Sequence, residues 1–123
     1  MTNFLAVRKA VRAFIFALFL LPFITSCKKE PARILVFSKT AAFRHESIAA
    51  GKASLLKMAQ ERGFQVDTTE NDSAFYEDNL KKYNAVIFLN TTGDVLNPEQ
   101  QNNFERFIQA GGGYVGIHAA TDT

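Results

Sequence analysis

Two short, mainly apolar runs rich in β-branched residues constrain the fold of this chain more than any other feature. They are Arg33–Phe37 and Ala85–Leu89, and polar or turn-forming residues follow each of them at once. Continuous apolar runs of this length are typical of strands that are buried on both faces of a parallel sheet. Such a sheet needs helices over both faces, and the sequence between the runs should supply them.

Two helices are predicted between the strands. Ser47–Arg62 repeats apolar residues at helical spacing and ends at Gly63, a residue suited to a left-handed C-cap. Its predicted core face consists of Ile48, Leu55, Met58 and Ala59. The second helix begins at Asn97-Pro98-Glu99-Gln100, where Asn caps, Pro fits the first turn and Gln can return the capping bond. Its predicted core face consists of Phe104, Phe107 and Ile108.

Two further strands complete the predicted alternation. Phe64–Thr68 alternates apolar and polar residues, and Tyr114–Ile117 follows a run of three glycines. The polar, acidic stretch Glu70–Asp78 between strands is predicted to cross the surface. The fold class is therefore α/β, a three-layer parallel sheet with helices on both faces. Because the chain stops just after an apolar strand with no helix to cover it, we expect a domain truncated at its C-terminus.

The N-terminus predicts export. Residues 1–26 contain Arg8, Lys9 and Arg12 before the apolar run Ala13–Ile24, which is short for a membrane span. Ile24-Thr25-Ser26-Cys27 matches the lipobox of bacterial lipoproteins, so residues 1–26 are predicted to be a signal peptide and 27–32 a lipidated tether. The alternatives are an ordinary signal peptide with a chance cysteine, or a retained anchor. The lipobox predicts lipidation at Cys27, and a location in the cell envelope, on the periplasmic or surface side of a bacterial membrane.

Charge and cysteine content exclude some functions. Residues 1–26 hold three basic residues and no acidic one, so that without them the formal charge falls from +2 to −1. No basic field is then left to attract nucleic acid, and nucleic-acid binding is not expected. Cys27 is the single cysteine, so an intrachain disulfide is excluded.

Chemistry is expected where the parallel strands end, because ligands bind there in open α/β sheets. Both histidines of the chain, His45 and His118, fall in such positions, and so does Asp94. His118 occupies the place of an elbow nucleophile, and because Cys27 is the single cysteine, acyl transfer through an elbow nucleophile is not expected. An acid/base, substrate-binding or metal-binding histidine is one interpretation of His118, and a buried histidine satisfied by backbone groups is the other.

Three separated motifs resemble the ThuA-like (trehalose utilisation) family. The segments that carry the resemblance, in order, are Phe37–Thr40 followed by Phe43–Ile48, then Phe88–Leu96, then Gly112–Asp122. It implies a fold like that of class I glutamine amidotransferases, without their cysteine, and a role in the metabolism of trehalose and related or oxidised glycosides. It carries over His45, Asp94 and His118 as catalytic candidates. As neighbouring or substrate-binding candidates it adds Arg44, Thr92, Thr121 and Asp122.

The resulting hypothesis is an envelope lipoprotein whose domain, residues 33–123, acts on a sugar or keto-sugar derivative. The sequence leaves open whether the histidines bind a divalent metal. Two other interpretations remain, a non-catalytic carbohydrate-binding module and an inactive truncated fragment. Among the site residues, Arg44 could instead form a solvated pair with Glu46, and Thr92 and Asp94 could be simple turn formers.

Overall fold

Four parallel strands form one sheet in the computed structural model, which describes residues 30–123. The strands are β1 (Arg33–Phe37), β2 (Gln65–Thr69), β3 (Ala85–Leu89) and β4 (Gly113–Ile117), and they lie in the order β2-β1-β3-β4. This confirms the predicted parallel sheet. The predicted signal peptide and residues 27–29 of the tether, Cys27 among them, lie outside the described residues.

The second strand begins one residue later than predicted. Its first residue is Gln65, because the backbone N–H of Phe64 donates to Ala59 and so still belongs to the end of the preceding helix. The backbone N–H of Gln65 is the first in this segment to bond toward β1. It donates to the carbonyl of Ala32, the residue before that strand, at 2.8 Å.

One face of the sheet is covered by α1 (Ser47–Arg62), which ends as predicted at a left-handed Gly63 with φ 73°. Ile48 and Ala59 are buried and Leu55 packs on the sheet, but Met58 is 48% exposed, so its predicted place in the core is wrong. Ile48, Leu55 and Ala59 lie within about 40° of one another around the helix axis, whereas Met58 lies about 80° from Ile48, at the margin of this face. The helix also lies close to the sheet at Gly51, where a Cβ would be 2.9 Å from Leu89 Cδ1.

The opposite face is covered by a 3₁₀ turn (Asp72–Phe75), α2 (Glu77–Leu80) and α3 (Pro98–Gln109). The expectation that Glu70–Asp78 only crosses the surface is wrong, because Phe75 in this stretch is fully buried. Its ring packs edge-on against Phe37 of β1, with 4.7 Å between ring centroids. A single aromatic anchor thus holds an otherwise acidic segment on the sheet.

Helix α3 begins with the predicted capping box, in which Asn97 and Gln100 exchange side-chain and backbone hydrogen bonds. Phe104 and Phe107 pack against the core, whereas Ile108 is 37% exposed, so that its predicted burial is wrong. The buried stripe includes Gln100 and reaches Phe104 and Phe107 at helical spacing, which leaves Ile108 at its border.

The outer strand β4 is much less buried than its neighbour. Tyr114 and Val115 are each 48% exposed, whereas Ile87 of β3, which pairs with Val115, is 8% exposed. Within residues 30–123, no helix is long and apolar enough to cross a membrane.

Candidate functional site

The strand ends at the carboxyl edge of the sheet carry two residues with left-handed backbone. Asn90 directly follows β3 with φ 53°, and His118 directly follows β4 with φ 56°. Non-glycine residues adopt this conformation at a cost, and it is common where a side chain is presented at a functional site. Gly116 gives the turn room, since a Cβ there would lie 2.9 Å from Tyr114 Oη. The backbone thus forms a tight elbow at His118, as the sequence predicted.

The two histidines meet at this edge. Their ring centroids are 4.6 Å apart and the rings meet edge to face, although β3 separates the strands that precede them. His118 is exposed and His45 is half-buried, so the interpretation of His118 as a buried structural histidine is wrong. The two imidazoles therefore come together at the carboxyl edge of the sheet, and their catalytic role stays a prediction.

Phe43 adds an aromatic ring that the sequence analysis did not single out as a site residue. Its centroid lies 4.9 Å from that of His45, and its side chain is 70% exposed. An exposed phenyl ring beside two imidazoles offers an apolar surface next to groups that can donate and accept protons. The three rings of Phe43, His45 and His118 are called the ring cluster below. Its signal in the sequence was an aromatic residue two positions from a histidine in a strand-end loop.

Thr92 fixes the loop that carries Phe43 and His45. Its hydroxyl donates to the carbonyl of Phe43 at 2.8 Å, and its own carbonyl accepts from Ala41 N–H at 2.8 Å. Thr92 is only 3% exposed. Its predicted contact with substrate stays a prediction, but its hydroxyl is already used inside the protein.

Arg44 binds an acidic partner other than the one considered from sequence. Its guanidinium donates two hydrogen bonds to the carboxylate of Glu70, at 3.0 and 2.9 Å, and Lys52 donates a third at 2.7 Å. These donors lower the pKa of Glu70 to about 2, with the Arg44 hydrogen bonds as the largest cause. The alternative pairing of Arg44 with Glu46 is therefore wrong, while substrate binding by Arg44 remains a prediction.

The remaining predicted residues are Asp94, Thr121 and Asp122, which lie in the loops after β3 and β4. Asp94 is exposed and lines a groove of about 290 Å³ between α3 and β4, and neither histidine lines that groove. Thr121 and Asp122 are also exposed. The carbonyl of Asp122 accepts a hydrogen bond from Gly93 N–H at 2.8 Å, which ties the loops after β3 and β4 together.

Several buried polar residues at this edge were missed from sequence. Asn90 is 4% exposed and its amide donates to Ser47 Oγ at 3.0 Å, while the buried Thr91 accepts from Thr123 Oγ1 at 2.8 Å. Ser38 is fully buried, and its hydroxyl has no hydrogen-bond partner among the described residues. The available signal was a polar residue within two positions of the end of an apolar strand.

Among residues 30–123, no third potential metal ligand lies beside the two histidines. In the part of the chain that the structure describes, no three His, Cys, Asp or Glu side chains form a group that could hold a metal ion. A divalent metal bound by the two histidines stays a prediction.

Comparisons with known proteins identify the domain. The crystal structure of a ThuA-like protein from Bacteroides uniformis ATCC 8492 is 32% identical, with a TM-score of 0.60 over 75% of this chain. The chain spans 38% of that protein. No curated protein matches. The family model described as trehalose utilisation, ThuA, matches residues 33–123, the stretch that contains the sheet, its helices and the ring cluster. The chain belongs to the ThuA family.

Proposed function

We propose that the ring cluster binds a sugar or keto-sugar derivative and that its histidines act as acid/base groups on that ligand. The observation that carries the proposal is the contact of His45 with both His118 and the exposed Phe43 ring. Ligand sites combine apolar or aromatic surface with a few convergent polar groups, which is what these three side chains provide. Histidine is the side chain most often used for proton transfer.

The exposed imidazole of His118, which a left-handed turn holds in place, supports the proposal. A backbone strained in this way persists only where its surroundings hold it, and the exposed imidazole is thereby fixed at the edge of the sheet. Together with the resemblance of the ThuA-like motifs to proteins of trehalose metabolism, this favours trehalose-related or oxidised glycosides as the ligand class.

The test is titration of the full chain with trehalose and with a keto-glycoside, followed by calorimetry. Phe43→Ala should weaken binding about five- to tenfold, from the roughly 1 kcal/mol that an aromatic contact contributes. Tyr76→Ala is the matched control, because Tyr76 is 40% exposed but lies at the start of α2, outside the loops that carry the ring cluster. Equal effects of the two substitutions, or no saturable binding of either sugar, would contradict the proposal.

A non-catalytic carbohydrate-binding module is the second candidate, favoured by the 70% exposure of Phe43 and by the position of Asp94 outside the ring cluster. The two candidates differ in what His118→Ala does. An enzyme should lose turnover of the keto-glycoside while it retains much of its affinity, whereas a binding module shows no turnover in the wild type.

Anchoring to a bacterial membrane through lipid on Cys27 is the second part of the proposal. It rests on the lipobox and the basic, then apolar, residues before it. Labelling with palmitate should tag the wild type, and Cys27→Ala should lose both the label and membrane retention. A wild-type protein that is unlabelled and released from membranes would exclude the anchor.

A further inference from the structure

We propose that Glu70 is a positioning residue for the ring cluster, because it holds Arg44 and thereby fixes the loop that presents Phe43 and His45. The positioning of the loop by Glu70 depends only on the contacts of Glu70. Its expected effect on ligand binding rests on the proposed function. It also gives Arg44 a role inside the protein, in place of a direct contact with substrate.

The contacts of Glu70 converge from two segments. One carboxylate oxygen accepts from Arg44 at 3.0 Å, and the other accepts from Arg44 at 2.9 Å and from Lys52 at 2.7 Å. Glu70 follows β2, Lys52 lies on α1, and Arg44 lies in the loop before α1. The carboxylate therefore links the end of an outer strand to the loop and to the helix that the loop enters.

The geometry makes this pair stronger than an ordinary surface ion pair. An exposed single contact contributes little, because solvent screens it and two side chains lose freedom. Here one guanidinium binds both oxygens, which fixes the direction of the side chain as well as its distance. A second cation shares the same carboxylate, so the carboxylate stays charged and bound over the whole neutral pH range.

The loop is held on its other side by Thr92, whose hydroxyl donates to the carbonyl of Phe43. His45 follows Arg44 directly, and its carbonyl accepts from Ile48 N–H at 3.3 Å. The side chain of Arg44 is thus the tie between this part of the loop and β2. Without Glu70 we expect the loop to keep its attachment at Phe43 but to lose the fixed orientation of His45 toward His118.

Nuclear magnetic resonance of the full chain labelled with ¹³C-histidine tests the geometry directly. The chain has two histidines, so the spectrum contains two imidazoles, and rings 4.6 Å apart should give a mutual nuclear Overhauser effect. Glu70→Gln should weaken that effect strongly. Glu61→Gln is the matched control, because Glu61 pairs with Lys57 on the exposed side of α1 and should leave the effect unchanged.

The second arm measures affinity for the keto-glycoside. Glu70→Gln should weaken binding about two- to fivefold, the range expected when one surface charge network is lost, with only a small decrease in the melting temperature. Arg44→Lys, which keeps the charge but not the fork, should lower both affinity and the Overhauser effect. If Arg44→Lys lowers affinity while Glu70→Gln changes neither readout, Arg44 contacts the sugar itself and the positioning role is overturned.

The two arms separate this inference from the proposed function. Loss of the imidazole contact in Glu70→Gln, with no sugar bound by the wild type, would support the positioning role and contradict the sugar site. If the wild type and Glu70→Gln both bind the sugar and the Overhauser effect is unchanged, the sugar site is supported and the positioning role is contradicted.

Discussion

The ends of β3 and β4 use the same backbone turn for opposite purposes. Asn90 and His118 both have left-handed backbone directly after a strand, yet Asn90 is 4% exposed and bonded to Ser47, while His118 is exposed and contacts His45 through its ring. Asn is one of the few residues besides glycine that adopt this conformation readily. The comparison teaches that the turn itself does not mark a functional residue. What distinguishes His118 is that its side chain is exposed at the edge of the sheet, where it contacts His45.

The largest expected effect concerns β3 and β4, the strands that lead into these two turns. Ile87→Ala should lower the free energy of unfolding by about 2–4 kcal/mol, as expected for a buried large-to-small change. Val115→Ala, at the paired position of β4, should cost about 0.5 kcal/mol because Val115 is 48% exposed. Urea denaturation of both variants measures the difference. Similar losses would mean that β4 is covered in solution, and the comparison would then fail.

A smaller effect is expected at the turns themselves. Asn90→Ala should cost about 1–3 kcal/mol, since it removes a buried hydrogen bond and places alanine in a left-handed conformation. Asn90→Gly keeps the turn without strain, and should therefore cost about 1 kcal/mol less. His118→Gly should leave the melting temperature unchanged or raise it. If His118→Gly destabilises the protein as much as Asn90→Ala, the two turns have the same structural role.

The smallest expected effect is the pH dependence of the free energy of unfolding that Glu70 causes. Glu70 directly follows β2, whose end lies at the same edge of the sheet. Its pKa is about 2 in the folded protein and near 4.5 without its partners, so the folded state is favoured above the higher value. This stabilisation should disappear as the pH falls from about 4.5 to about 2, and solvent screening limits it to about 1 kcal/mol or less. Acid titration of Glu70→Gln should lack this component. An unchanged acid transition in that variant would show that Glu70 does not contribute.

The strands and helices could be predicted closely because their signals are local. β1, β3 and α1 have the predicted bounds, since continuous apolar runs and a helical repeat ending in glycine leave few alternatives. The capping box at Asn97 was equally clear. Burial was predicted less well. Phe75 stands alone among acidic residues and Met58 lies one position from the contact face, so neither pattern shows what tertiary packing decides.

The site was predictable only to the level of which loops meet. The topology places His45 and His118 at one edge, and that followed from the alternation of strands and helices. The partner of Arg44 did not follow, because Glu70 lies 26 residues away and the pairing depends on how α1 is seated beside β2. Phe43 was missed for a related reason, since a lone aromatic residue in a loop is usually covered, whereas here it is 70% exposed.

The hydrogen bonds that join the strand-end loops have a kinetic consequence. Ala41 N–H donates to Thr92 and Gly93 N–H donates to Asp122, so the loops after β1, β3 and β4 are connected in series. Amide protons held in this way exchange with solvent only when the connection opens. We therefore expect Ala41 and Gly93 to exchange at similar rates, although they lie in different loops. A ligand that stabilises one of these loops would slow amide exchange in the other loop as well. Ligand binding at the histidines would then be measurable at an amide that the ligand does not contact.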